Sequence, residues 1–128
     1  LERKYHDSPN IRFVHPHYEK HIVNSLRHFC RLYIHGHSSG GTNPSLLEAM
    51  ACEAVIAAHD NPFNRSVIGQ DAYFYSSASE LTKVFVSVDP NNATGWKVNN
   101  LNRIKSEYNW NQVADQYEKL IYEAIGSE

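Results

Sequence analysis

The chain has 128 residues, 41% of them hydrophobic and 20% charged, with a formal charge of −2 at neutral pH. That length fits one domain and is enough to bury a core, because chains near 150 residues hide about 68–70% of their unfolded surface. The balance of charge leaves no basic face for nucleic acid, and no apolar run approaches the ~20 residues that span a bilayer.

In chain order, residues 1–5 (LERKY) read as the end of a helix closed by the turn cluster HDSPN. The β-branched, aromatic run IRFVH, residues 11–15, is expected to be a strand. From Tyr18 to Cys30 the apolar residues Ile22, Val23, Leu26, Phe29 and Cys30 recur at helical spacing, leaving His21, Asn24, Arg27 and His28 outside. LYIH (32–35) is the next strand, followed by the loop GHSSGGTN and a helix that starts at Pro44. AVIAAH (54–59) has the unbroken apolar character of a strand covered on both faces. DNPFN reads as a turn, RSVIGQD as one helical turn and a loop, and AYFYS as a fourth strand. ASELTKVFVSV is helical, with Leu81, Val84, Phe85 and Val88 on one side and Ser79 as its cap. After the DPNNATG break, WKVNNLNRIKSEY and WNQVADQYEKLIYEAI close the chain as two helices. Strands alternating with helices give an α/β fold, a Rossmann-like parallel sheet with right-handed crossovers and helices on both faces.

Eight histidines are the unusual count, and half of them form two HxH pairs, His15 with His17 and His35 with His37. Alternation along a strand puts both rings of a pair on one face, which is a geometry a metal can use. With no Cys or carboxylate at ligand spacing beside them, they read instead as strand-end residues lining a polar cleft, and no metal is expected. Cys30 and Cys52 stand apart in apolar or helix-forming surroundings and read as reduced core residues of a cytoplasmic protein. The polar start LERKYHDSPN is not expected to be a secretion signal, and a chain beginning without Met is expected to be a piece of a longer one.

In open parallel sheets, ligands sit at the carboxyl ends of strands, where loops lead into helix N-termini. GHSSGGTNPSLLEAM occupies such a place. Gly40 and Gly41 permit close backbone approach. Thr42, Asn43 and Ser45 bring hydroxyl and amide groups to the first helical turn. Pro44 suits the first helical position and makes Asn43 the N-cap. Free N–H groups and the positive end of the helix dipole then face the cleft, as an anion requires. Glu48 also fits a capping box with Ser45. Pro44 inside the helix places it too deep for that, roughly 6 Å along the axis from the phosphate-facing end at 1.5 Å per residue. That is about the span from a pyrophosphate to a ribose, and a carboxylate accepting two ribose hydroxyls makes charge-assisted bonds of roughly 1.5–3 kcal/mol each.

HSSGGTNPSLLEAMAC resembles the nucleotide-sugar motif of family 4 retaining glycosyltransferases, whose GT-B fold pairs two Rossmann-like domains. DNPFNRSVIG and YNWNQVADQYEKLIY are similar to the rhamnosyltransferase-like bacterial branch that builds surface polysaccharides such as the O-antigen of lipopolysaccharide. The resemblance runs from about Ile11 to Ala124 and matches the C-terminal, donor-binding domain, so residues 1–128 are expected to be that part of a two-domain enzyme. It implies that Glu48, the second glutamate of a Glu-x7-Glu signature, binds the ribose, and that Gly41, Thr42, Asn43 and Ser45 hold the diphosphate. The first glutamate falls at Gly40, a departure that leaves the donor sugar to Gly40, His37 and Ser39. Val14 and His15 match the strand end that meets the nucleobase. The Arg and Lys that clamp the diphosphate in the family belong to an earlier strand and helix and are not in this chain.

The resemblance therefore implies a metal-independent hexosyltransferase without a cofactor. It would move a sugar from a nucleotide diphosphate sugar, UDP-linked by preference, to a lipid-diphosphate-linked saccharide with retention. The acceptor, and any peripheral contact with the inner face of the cytoplasmic membrane, would come through the N-terminal domain. By itself the 128-residue chain is expected to be inactive, with no residue in it assigned as catalytic. Two other readings stay open: a nucleotide-sugar epimerase on the same architecture, and a non-enzymatic nucleotide-binding or interaction module.

Overall fold

The computed structural model describes residues 1–14 and 19–126. Helix α1 (Glu2–Tyr5) is followed by α2 (Lys20–Phe29), strand β1 (Tyr33–His35), α3 (Pro44–Ala51), β2 (Ile56–His59), α4 (Pro62–Ile68) and β3 (Tyr73–Tyr75). Then come α5 (Ala78–Ser87), a 3₁₀ turn (Pro90–Ala93), α6 (Thr94–Glu107) and α7 (Trp110–Ile125). The strands make one parallel sheet in the order β1-β2-β3, with Tyr33 opposite Ile56 and His59 opposite Tyr75. Parallel neighbours require crossover connections, and α3 and α4 supply the two in this sheet. The fold is mixed α/β, a small parallel sheet flanked by helices, and is compatible with a Rossmann-like arrangement.

Packing follows the alternation of the strands. Ile56 and Ala58 of β2 point into a cluster with Leu46, Ala49 and Met50 of α3 and Val67 and Ile68 of α4, closed by Ile104 and Tyr108 from α6 and its end. On the other face Val55 meets Val88, Ala93, Leu32, Tyr73 and Trp96. Leu46, Met50, Ile56 and Ile68 are fully enclosed, and each such side chain contributes about 1.5–3 kcal/mol by leaving water. Because β2 has neighbours on both sides and helices over both faces, its sequence carries no polar alternation.

Several expectations are corrected. Residues 11–14 form no strand, and Ile11, Phe13 and Val14 are 40%, 42% and 61% exposed; His15 lies outside the described residues. Among the described residues the sheet therefore has three strands rather than four. Strand preference is mostly packing against neighbours, and this run has none in the sheet. In α2 the expected inner residues Leu26 and Phe29 are exposed, while Arg27, expected outside, is largely buried. DNPFN is not a turn before a short helical piece: Asn61 caps α4, which starts at Pro62 and runs to Ile68. The cap of α5 is Ser77, whose hydroxyl accepts from the Glu80 N–H, and not Ser79. Both cysteines are free and half-buried, as expected. Among the described residues no helix is long and apolar enough to cross a membrane.

Candidate functional site

At the carboxyl end of β1 the chain enters the loop 36–43, in which every residue up to Thr42 is exposed. His37, Ser39, Gly40, Gly41, Thr42, Asn43 and Ser45 thus form one continuous stretch ending in the first turn of α3. The expected cap is present. Asn43 is extended, its side-chain oxygen accepts from the Ser45 N–H at 3.0 Å and the Ser45 hydroxyl at 2.7 Å, and Pro44 fills the first helical position. Ser45 is therefore occupied with the cap, and its hydroxyl reaches a ligand only by leaving Asn43. Gly40 has φ +106°, which a side chain resists, whereas Gly41 has an ordinary backbone and open space where a Cβ would stand. The backbone's need for glycine falls on Gly40 and not on Gly41.

The root of this loop is fastened from the neighbouring strand. Asn64 donates to the carbonyls of His37 at 3.0 Å and His59 at 2.8 Å, and Asn61 donates to the same pair at 3.1 and 3.3 Å. Two amides thereby tie the exit of β1 to the exit of β2. Tyr75 at the end of β3 adds a bond from its hydroxyl to the His35 carbonyl at 3.3 Å. Sequence reasoning does not single out Asn61 or Asn64, although Asn61-Pro62 repeats the Asn43-Pro44 signal.

The rings of His35 and His37 stack with centroids 4.7 Å apart, so this HxH pair does share a face. His35 is buried, its Nε2 has no hydrogen-bond partner among the described residues, and burial, reinforced by His37, pushes its pKa down. Neutral His35 thus underlies exposed His37. No group of three or more His, Cys, Asp or Glu side chains is arranged to hold a metal among the described residues. His15 and His17 lie outside them.

Glu48 lies one turn into α3 from the cap and opens on a cleft of about 510 Å³ between α2 and α3. Lys20, Asn24 and Arg27 on α2 and Glu48, Ala51 and Cys52 from α3 and its C-cap line it. Arg27 Nη2 donates to Glu48 Oε2 at 2.6 Å, and Arg27 Nη1 donates to Asn24 Oδ1 at 3.3 Å. The Arg27 side chain is 14% exposed and that of Glu48 54%. No capping-box bond from Glu48 is formed; its partner is Arg27. Sequence reasoning misses Arg27 because the apolar stripe of α2 assigns it to solvent. The available signal is polar spacing, since Lys20, Asn24 and Arg27 fall at i, i+4 and i+7 on one helical face.

The last expected pair, Val14 and His15, is not presented on a strand end: Val14 is exposed in an irregular stretch, and His15 lies outside the described residues. Comparison with protein-family models, with curated proteins and with solved structures gives no match to this chain.

Proposed function

We propose that this chain is the donor-binding part of a retaining glycosyltransferase of GT-B type. The exposed loop 36–43 and the start of α3 would hold the diphosphate of a nucleotide sugar, and Glu48 would hold its ribose. The observation that carries the reading is the continuity of three parts. An exposed glycine-containing loop at the carboxyl end of a parallel strand leads into an Asn-capped helix, whose Glu48 opens on a cleft. The expected free N–H groups are not there, because Pro44 has none and those of Ser45, Leu46 and Leu47 bond to Asn43. What the start of α3 offers an anion, and the charge that develops on a departing nucleoside diphosphate, is the positive end of its dipole. With UDP-sugar as donor, the departing group would be UDP and the acceptor a lipid-linked saccharide held by residues beyond this chain.

Calorimetric titration with UDP, GDP, dTDP and ADP tests the reading. Binding of at least one is expected, and Glu48→Gln should weaken it by roughly 1–3 kcal/mol, because the amide loses the charge and one acceptor. Since Arg27 is paired to Glu48 and mostly buried, the same substitution should also lower stability, which a reading of Glu48 as a free ligand residue does not anticipate. No binding of any nucleoside diphosphate sinks the proposal. A wild-type affinity in Glu48→Gln removes Glu48 from it.

A further inference from the structure

The ion pair between α2 and α3 has a consequence for how Glu48 meets a ligand. Glu48 sits in the middle of α3 with more than half of its side chain in solvent, and a carboxylate so placed samples several rotamers unless something holds it. Arg27 holds it. The guanidinium comes from the facing helix on a side chain that is 14% exposed, and it also donates through Nη1 to Asn24 Oδ1 at 3.3 Å. Its bond to Glu48 ends on Oε2 alone, at 2.6 Å, and Oε1 accepts no hydrogen bond among the described residues. A carboxylate offers about four acceptor positions, so one is used and the outward oxygen is left for a ligand.

We infer that Arg27 is a positioning residue which fixes the Glu48 carboxylate with one oxygen engaged and the other presented to a vicinal diol in the α2–α3 cleft. This deepens the proposed function and rests on it, since the diol in question is that of a ribose. The chemistry favours this assignment over a plain tie between helices. A tie between two exposed side chains is worth little, whereas here both partners line the cleft but the arginine side chain is 14% exposed and bonded to Asn24 as well as to Glu48, and the carboxylate side chain is 54% exposed. Holding the carboxylate in advance removes the ordering cost that a diol would otherwise meet on binding. The Asn24–Arg27–Glu48 chain also explains why a polar row runs down the face of α2 that meets α3.

The distinguishing ligands are uridine 5′-diphosphate and its 2′,3′-dideoxy analogue, which keeps base and phosphates and lacks the diol. Both are titrated into this chain and into Arg27→Gln, Arg27→Lys and Glu48→Gln, with affinity read from NMR shift changes and folding from melting. Wild type is expected to prefer the ribonucleotide by about tenfold, on the order of one good pair of hydrogen bonds. Arg27→Gln should lose that preference and bind both ligands as wild type binds the dideoxy form. Arg27→Lys keeps the charge without the fork and should retain part of the preference, so the inference stays testable if Arg27→Gln does not fold. In the Glu48→Gln background, Arg27→Gln should remove nothing further. An undiminished preference in Arg27→Gln or, where that variant is unfolded, in Arg27→Lys overturns the inference and leaves the proposed function standing. A wild type that binds neither ligand, or binds both equally, overturns the ribose reading of Glu48 and the inference with it.

Discussion

Helices α3 and α4 start alike and are set in different surroundings. Each follows a strand of the parallel sheet, each is capped by an asparagine whose side-chain oxygen accepts a backbone N–H, and each has proline next. Around α4 the connection is a single residue, Asp60, between the end of β2 and the cap. Its asparagines are turned inward, and Asn61 and Asn64 direct both amide groups to the carbonyls of His37 and His59. Hydrogen bonding from Arg65 holds the Asp60 carboxyl below its ordinary range, and the Arg65 guanidinium lies over the Phe74 ring at 4.1 Å. Around α3 the connection between the end of β1 and the cap is seven residues long, 36–42, all exposed, and the Asn43 side chain bonds only to Ser45 among the described residues. The same cap motif therefore serves a fixed frame at α4 and an accessible edge at α3. What makes a helix start available to a ligand is not its cap but the freedom of the loop that feeds it.

The comparison breaks first at one asparagine from each side, Asn64 of the α4 frame and Asn43 of the α3 edge. Asn64 is buried, and its amide serves two carbonyls of different strand exits. Asn64→Ala removes two hydrogen bonds and leaves the His37 and His59 carbonyls to Asn61 alone, and each lost bond costs roughly 0.5–1.5 kcal/mol. Asn43→Ala removes an ordinary cap, and about 1 kcal/mol is typical. Urea unfolding of both variants should show the larger loss for Asn64→Ala. Equal losses would mean that the α4 frame contributes no more stability than the open edge.

How far this difference can be read in advance varies by residue. The Asn43 cap, the strand cores 32–35 and 54–59 and the two closing helices are legible, because caps, unbroken apolar runs and helical periodicity are local signals. Asn61-Pro62 carries the same local signal as Asn43-Pro44, but a DNPFN cluster also has the composition of a turn, which hides the second helix start. Arg27 and Asn64 are not legible, since their partners stand 21 residues away at Glu48 and 27 at His37 and are chosen by the packing of helices. The expected strand fails over its described part, 11–14, for the opposite reason: its residues favour a strand, but a strand exists only with a neighbour to pair. Among the candidate site residues, those in one local stretch are found together, while the one on another helix is missed.

The loop glycines sharpen the comparison at a smaller scale. Gly40 holds φ +106° with open space where a Cβ would stand, so Gly40→Ala is penalised by backbone strain alone, at roughly 1–2 kcal/mol. Gly41 has neither a positive φ nor a close neighbour, and Gly41→Ala should leave stability within about 0.5 kcal/mol of wild type. Denaturant midpoints order the two. If Gly41→Ala keeps its stability and yet weakens nucleoside diphosphate binding, close backbone approach of a ligand at Gly41 is the remaining cause. If it changes neither, the glycine pair serves the bend of the loop, and the proposed diphosphate contacts would fall to Thr42 and Asn43.

The smallest expected effect lies at the roots of the two loops, where each leaves its strand through a histidine. His35 ends β1 and His59 ends β2. His35 is buried with an Nε2 that has no hydrogen-bond partner among the described residues, and burial first, then neighbouring His37, lowers its pKa from the ordinary 6.5. In the unfolded chain His35 takes up a proton as pH falls through about 6.5, while in the folded chain it resists protonation until lower pH. In the window below 6.5 the unfolded state therefore binds more protons, and stability declines as pH falls; above it both states are neutral and His35 contributes no slope. Asp60 acts in a separate and more acidic window: its lowered pKa gives stability that is present above the ordinary 3.8 and lost as pH falls further. Urea midpoints measured from about pH 8 to about pH 5 should be level at the top and fall below 6.5. His35→Phe keeps a flat ring against His37 and removes the titration, so its slope from pH 6.5 down to about pH 5 should be shallower than that of wild type. An unchanged slope would assign the acid sensitivity to other histidines and leave the stacked pair as packing at the root of the α3 loop.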